Sequence, residues 1–157
     1  MLIGLISDTH GLLRNEVFTV FEGVDHILHA GDVGNEEILI ELAAIAPVTA
    51  VWGNTDGFAL RSQLPEVATL ELAGWSITVV HGHMQAAARA ERMALEFQTD
   101  LVVFGHSHTP EVVRVGSVLA VNPGSAGPPR FRQPVAVALA TLETTGISTR
   151  RVDLVPR

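Results

Sequence analysis

Five short apolar runs in this chain each stop at a polar cluster: Asp8-x-His10, Gly31-Asp32, Gly53-Asn54-x-Asp56, His81-Gly82-His83 and Gly105-His106-x-His108. Each apolar run reads as a strand, so the polar groups fall at strand ends. Strand ends are where a sheet brings distant pieces of sequence to one point. The clusters supply carboxylate, imidazole and amide oxygen, which are hard or borderline metal ligands. Their number suits two metal ions sharing one bridging group, an arrangement that clamps a phosphoryl centre. The pattern implies a metal-dependent hydrolase.

The order of strands and helices implies layers. Leu2 to Ser7 is continuously apolar, as expected of a strand buried on both faces. Val17, Val20, Phe21 and Val24 follow helical spacing, and His26 to His29 returns as a strand. Ile38, Leu42 and Ile45 share a helix face that Pro47 ends, and Val48 to Trp52 is the next strand. A polar linker follows. Val67 to Leu72 and Ser76 to Val80 flank Ala73-Gly74 like a hairpin. Ala87, Ala90, Ala94 and Phe97 predict a helix, Leu101 to Phe104 a strand. Val112 to Val115, Val118 to Val121, Val135 to Leu142 and Ile147 to Leu154 are strand-like. A βα-rich first half and a β-rich second half imply two packed sheets with helices outside. The Gly- and Pro-rich stretch Asn122 to Pro134 reads as a loop inside one domain spanning residues 1–157.

Composition narrows the function. A length of 157 residues with 47% hydrophobic content suits one domain with a real core. Runs such as Val135 to Ala140 are too short to span a bilayer, and Met1 to Ile6 lacks the basic flank of a signal peptide. The absence of cysteine excludes disulfides and thiolate ligands and is compatible with a cytoplasmic setting. A net charge of −7 argues against an extended nucleic-acid surface. All ten basic residues are arginine, which excludes a lysine nucleophile.

Taken singly, the clusters have ordinary readings. Asp8-Thr9-His10 could be a turn, Asp32 a helix cap ahead of Asn35-Glu36-Glu37, and Gly53-Asn54 a turn. As chemistry, Asp8 and His10 can bind one ion together, and the two oxygens of Asp32 can bridge two. Asn54 offers a neutral amide oxygen. His81 and His83, one residue apart, point differently, so one binds metal and the other faces substrate. Two imidazoles in the glycine-led loop His106-Ser107-His108 suit metal better than packing. His26 and His29 read as strand histidines, with His29 close enough to Asp32 to support it.

The five clusters in this order, with Asn122-Pro123-Gly124-Ser125, resemble the calcineurin-like metallophosphoesterases, specifically their small prokaryotic phosphodiesterase branch. The resemblance runs from Leu2 to Leu142. It implies a four-layer α/β/β/α sandwich of two mixed sheets flanked by helices. It implies one metal on Asp8, His10, Asp32 and His108, and a second on Asp32, Asn54, His81 and His106. Mn²⁺ is the first expectation, with Fe²⁺, Co²⁺, Ni²⁺ and Zn²⁺ as alternatives. A water shared by the ions, oriented by Asp32, would lose a proton and attack phosphorus of a small phosphodiester in line. Asn54 is also placed to touch substrate.

One position departs from the wider family, where a histidine commonly follows the asparagine and helps the leaving group. Here Thr55 stands there, too weak an acid for that duty. His83 is the substitute, as proton donor or phosphate contact, and Asp56 is expected to orient its loop. Arg130 or Arg132 could meet substrate phosphate or a partner subunit, since guanidinium matches phosphate geometry; a homo-oligomer is compatible with this. The alternative is a non-catalytic protein-binding scaffold, as in a eukaryotic membrane-traffic relative whose site is incomplete. A closed structural metal site is the third reading.

Overall fold

Leu2–Ile6 forms the first strand, β1, buried from Ile3 onward as its unbroken apolar run requires. The computed structural model describes residues 1–85, 89–130 and 133–154. After β1 come α1 (Asn15–Val20), β2 (His26–His29), α2 (Glu36–Ala43), β3 (Val48–Ala50), α3 (Phe58–Gln63) and β4 (Val67–Leu72). They are followed by β5 (Trp75–Val80), α4 (Ala90–Glu96), β6 (Leu101–Val103), β7 (Glu111–Val115), β8 (Val118–Asn122), β9 (Ala136–Glu143) and β10 (Gly146–Asp153).

Two five-stranded mixed sheets result, in the orders β10-β9-β1-β2-β3 and β4-β5-β6-β8-β7. In the first, β1, β2 and β3 are parallel, and β9 runs antiparallel to β1. In the second, β5, β6 and β8 are parallel. The parallel strands carry the ligand clusters just beyond their carboxyl ends. One apolar cluster joins the sheets face to face, with Ile3, Leu5 and Leu28 meeting Ile77, Leu101 and Val121. A second packs Val17, Ile38, Leu42 and Leu60 of the first three helices, with Phe21 just after α1, on the outer face of the first sheet. A third packs Met93 and Ala94 of α4 against Val102 and Phe104. The chain is therefore an α/β/β/α sandwich.

Three local expectations change. The linker after Trp52 contains helix α3, whose single buried residue, Leu60, leaves no apolar periodicity to detect. Helix α1 ends at Val20, and Val24 belongs to the following turn while still packing in the core. Asn35 caps α2, its Oδ1 accepting from Ile38 N at 3.3 Å, so Asp32 is not the cap. Ala87 lies outside the described residues.

At the end of β2, His29 is fully buried. Thr9 Oγ1 donates to Val33 O at 2.9 Å, so it accepts from His29 Nε2, also at 2.9 Å. His29 Nδ1 accepts from Gly31 N at 3.2 Å. A second ring proton would break that last bond. Burial pushes the imidazole down from 6.5 to about 4, despite the opposing charges of Asp8 and Asp56. The unfolded chain therefore binds more protons than the native one between these values. Stability is expected to fall as pH drops from about 6.5 to about 4, by up to about 3 kcal/mol from this residue. Urea unfolding of metal-free protein at pH 7 and pH 4.5 checks this. His29→Gln should lose much of the pH dependence in that window; an unchanged slope would refute the assignment.

Candidate metal centre

At the ends of β1, β2 and β6 the chain turns through an unusual backbone conformation. Among the described residues, six non-glycine residues have left-handed φ, and five of them are Asp8, His10, Asp32, His106 and His108. Asp, Asn and His tolerate this region better than most residues, but each such position still costs of order 1–3 kcal/mol unless its surroundings enforce it. The enforcement is visible in the cross-strand bonds. Asp8 N donates to Gly31 O at 3.0 Å, His10 N to Asp32 O at 2.9 Å, and Gly105 N to His81 O at 3.1 Å. Side chains that a straight strand would send to opposite faces are thereby turned to one spot.

Glycines ahead of the ligands let the loops close. A Cβ on Gly53 would stand 2.2 Å from Asp32 Oδ1, and one on Gly105 would stand 1.9 Å from Ser7 Oγ. Either would push apart loops that carry the ligands.

The ligand atoms gather accordingly. Asp8 Oδ1 lies 3.2 Å from His108 Nε2 and 3.9 Å from His10 Nε2, and the two imidazole nitrogens are 3.4 Å apart. Asp32 Oδ2 lies 3.3 Å from His81 Nε2 and 3.8 Å from His10 Nε2. Asn54 Oδ1 is 3.2 Å from His81 Nε2. His106 is brought against His81, ring centres 5.2 Å apart. Two groups are compact enough to hold an ion, Asp8–His10–His108 and Asp8–Asp32–His81, with ligand atoms all within 4.8 Å of one another. Asp8 thus belongs to both, and Asp32 faces histidines of both.

The donors fit a cation on three counts. Asp8 Oδ1 is buried without a hydrogen-bond partner. Leaving a buried polar group so costs about 1–3 kcal/mol, and more when it is charged, a cost that coordination would remove. His81 Nδ1 donates to Ala30 O at 2.8 Å, which leaves Nε2 facing Asp32 and Asn54 as a lone-pair donor. Burial alone would raise Asp32, yet the hydrogen bond and charge of His81 hold it well below the usual carboxylate range. In turn burial opposes charging of His81, but the bond to Asp32 and the charges of Asp8 and Asp32 win and raise it. Both shifts favour positive charge beside these carboxylates, a role a divalent ion would fill. His10 is lowered by burial first, against Asp8 and Asp32, with Arg130 and His108 contributing.

The expected ligands Asp8, His10, Asp32, Asn54, His81, His106 and His108 lie at or beside this point. His83 stands apart from the ligand atoms, its ring centre 5.5 Å from that of His81 and 6.4 Å from that of His106. Burial and the charge of His81 lower it. Arg130 lines a cavity of about 190 Å³ with His106, Ser107, His108 and Gln133. Arg132 lies outside the described residues. Asp56 accepts from the backbone of Gly53, Val33 and Gly34 at 2.8, 3.1 and 2.8 Å, binding two ligand loops together. Sequence reasoning missed Ser7 and Asn122. Ser7 Oγ donates to Asp8 Oδ2 at 2.6 Å, and Asn122 Nδ2 donates to Gly105 O at 2.9 Å. Their positions, flanking Asp8 and opening the Asn-Pro-Gly-Ser turn, were the available signal.

With this geometry in view, the likenesses to known proteins fall into place. The family model described as the calcineurin-like phosphoesterase superfamily domain matches residues 1–145. A probable metallophosphoesterase of Methanocaldococcus jannaschii is 40% identical over 140 residues, 83% of this chain and 70% of that protein. The solved structure of a novel archaeal phosphodiesterase superposes with a TM-score of 0.81 at 25% identity, covering 98% of this chain and all 100% of that one. A Vps29 single mutant from Entamoeba histolytica superposes with a TM-score of 0.78 over 98% of this chain and 99% of its own, at 21% identity, a likeness of fold.

The geometry around Asp32 generates a graded expectation. Asp32→Asn should reduce binding at both ion positions, because Oδ2 faces His10 as well as His81. Asn54→Ala should weaken chiefly the position beside His81. Metal content measured on equilibrated protein decides it, and Asp32→Asn that keeps two ions with normal affinity would refute the bridging assignment.

Proposed function

The chain belongs to the calcineurin-like phosphoesterase superfamily, and from that premise we propose that it is a metal-dependent phosphodiesterase acting on a small phosphodiester. The observation that carries the reading is the convergence of carboxylates and imidazoles from both sheets on one spot, with Asp8 Oδ1 buried and without a hydrogen-bond partner. The likeness to an archaeal phosphodiesterase supports the diester class. Asp8, His10, Asp32 and His108 would hold one divalent ion, and Asp32, Asn54, His81 and His106 the other, with Mn²⁺ the first candidate. Such ions, when bound, supply hydroxide at neutral pH and neutralise charge growing on the non-bridging phosphoryl oxygens.

The chain's own residues would do the rest. Asp32 orients the attacking group opposite the leaving oxygen. Arg130 neutralises a phosphoryl oxygen from the cavity beside His106 and His108. Asn54 bears on substrate from the exposed rim. His83, kept off the ligand cluster, hands a proton to the departing oxygen. The scaffold reading rests on the Vps29 fold likeness; against it, each ligand-type residue is present. Turnover of a generic diester separates the two.

Chelator-treated protein should lose all measurable hydrolysis of bis(p-nitrophenyl) phosphate and regain it with Mn²⁺, Ni²⁺ or Co²⁺. Full activity after metal removal verified by elemental analysis would sink the mechanism.

Because Thr55 cannot act as the acid, rates should depend steeply on leaving-group pKa. General acid help is worth about 10²–10⁴-fold. His83→Ala should therefore depress diesters with alkyl leaving groups more than those with nitrophenyl groups, with both metals retained. Equal losses across the series would argue against a proton-donor role.

A further inference from the structure

Arg61, on helix α3, belongs to none of the ligand clusters, yet it is tied three times to the loop that carries Asn54. Its Nε donates to Asp56 O and its Nη2 to Asn54 O, each at 2.7 Å. Its guanidinium carbon stands 4.7 Å from the centre of the Trp52 ring. The Trp52 ring centre lies 5.1 Å from that of His83, and Trp52 N donates to Pro65 O at 3.1 Å. One flat cation thus spans the residue before Gly53, the carbonyls on both sides of Thr55, and the wall against which His83 rests.

We infer that Arg61 is a positioning residue that sets the amide of Asn54 toward the second ion and, through Trp52, fixes the ring of His83. The inference rests on the metal-centre reading given above. Asn54 lies in an exposed turn with no strand around it, and its side-chain oxygen must stay 3.2 Å from His81 Nε2 to serve as a ligand. The adjacent Thr55 N donates to Asp32 Oδ1 at 2.9 Å, so a shift of this turn also reaches the bridging carboxylate. Two carbonyls held by one rigid fork remove that freedom. Lysine could reach one carbonyl but could not offer divergent donors and a stacking plane together. Helix α3 buries one side chain, Leu60; its other consequence is to return Arg61 to the turn.

The test uses a Trp75→Phe background, in which Trp52 becomes the single tryptophan of a chain that has two. In metal-free protein, Arg61→Met should change Trp52 emission and raise its quenching by acrylamide, with the circular dichroism spectrum retained. Calorimetric titration with Mn²⁺ should then show one of two sites weakened at least about tenfold, with Arg61→Lys recovering only part. In an Asn54→Ala background the same Arg61→Met change should add less than about twofold, the non-additivity expected of residues acting through one another. Mn²⁺ affinities equal to the parent's, or an undiminished loss in the Asn54→Ala background, would overturn the inference alone. A parent protein that binds no Mn²⁺ would overturn the metal-centre reading and this inference with it.

Discussion

The carboxylate of Asp8 is fully buried, and the loops of the site are assembled around it. Ser7 Oγ and the backbone N of His106 donate to its Oδ2, at 2.6 and 3.2 Å. Its own carbonyl accepts from Ser125 Oγ at 3.0 Å and from Gly127 N at 3.1 Å. Those donors come from the end of β1, from the loop after β6 of the second sheet and from the loop after β8, so one residue ties both sheets at their carboxyl ends. Oδ1 is what remains, and it faces His108 and His10. Burying an ion unpaired is expensive, several kcal/mol even after relaxation. The fold therefore concentrates its cost where a cation would repay it.

That cost has a backbone side as well. Five ligand-type residues sit in the left-handed region, and glycines precede three of the clusters because no Cβ would fit against Asp32, His81 or Ser7. Strain of this kind survives when the surrounding core over-determines it. Here the core does so through parallel strands held in register, Ile3 to Ile6 of β1 opposite His26 to His29 of β2 and Ile27 to His29 opposite Val48 to Ala50 of β3. Packing between the sheets thus holds the turns, and the turns aim the ligands. Local sequence rules are broken at the one place where chemistry requires it.

Much of this was legible beforehand. The layers followed from apolar runs alternating with helical spacing, and the ligand classes from side-chain chemistry at the run ends. Helix α3 was not legible, because six residues with one buried side chain make no periodic signal. The ordinary reading of Asp32 as the cap of α2 fails because Asn35, next to the helix, takes that place, and spacing alone does not decide between two good caps. The role of Asn122 escaped notice because it acts on Gly105, distant in sequence, whereas Ser7 and Arg61 act on near neighbours in a geometry that only the fold sets.

By itself, then, the sequence determined the kinds of donor, their order along the chain and their location beyond strand ends, because hydropathy and ligand chemistry are properties of each residue and its neighbours. Only the tertiary structure decided which donors meet. It joined Asp8 to both candidate groups rather than leaving the sharing to Asp32 alone. It turned His81 inward through Ala30 O and left His83 against Trp52. These outcomes depend on distances between residues tens of positions apart, set by how two sheets pack, and no local pattern encodes them.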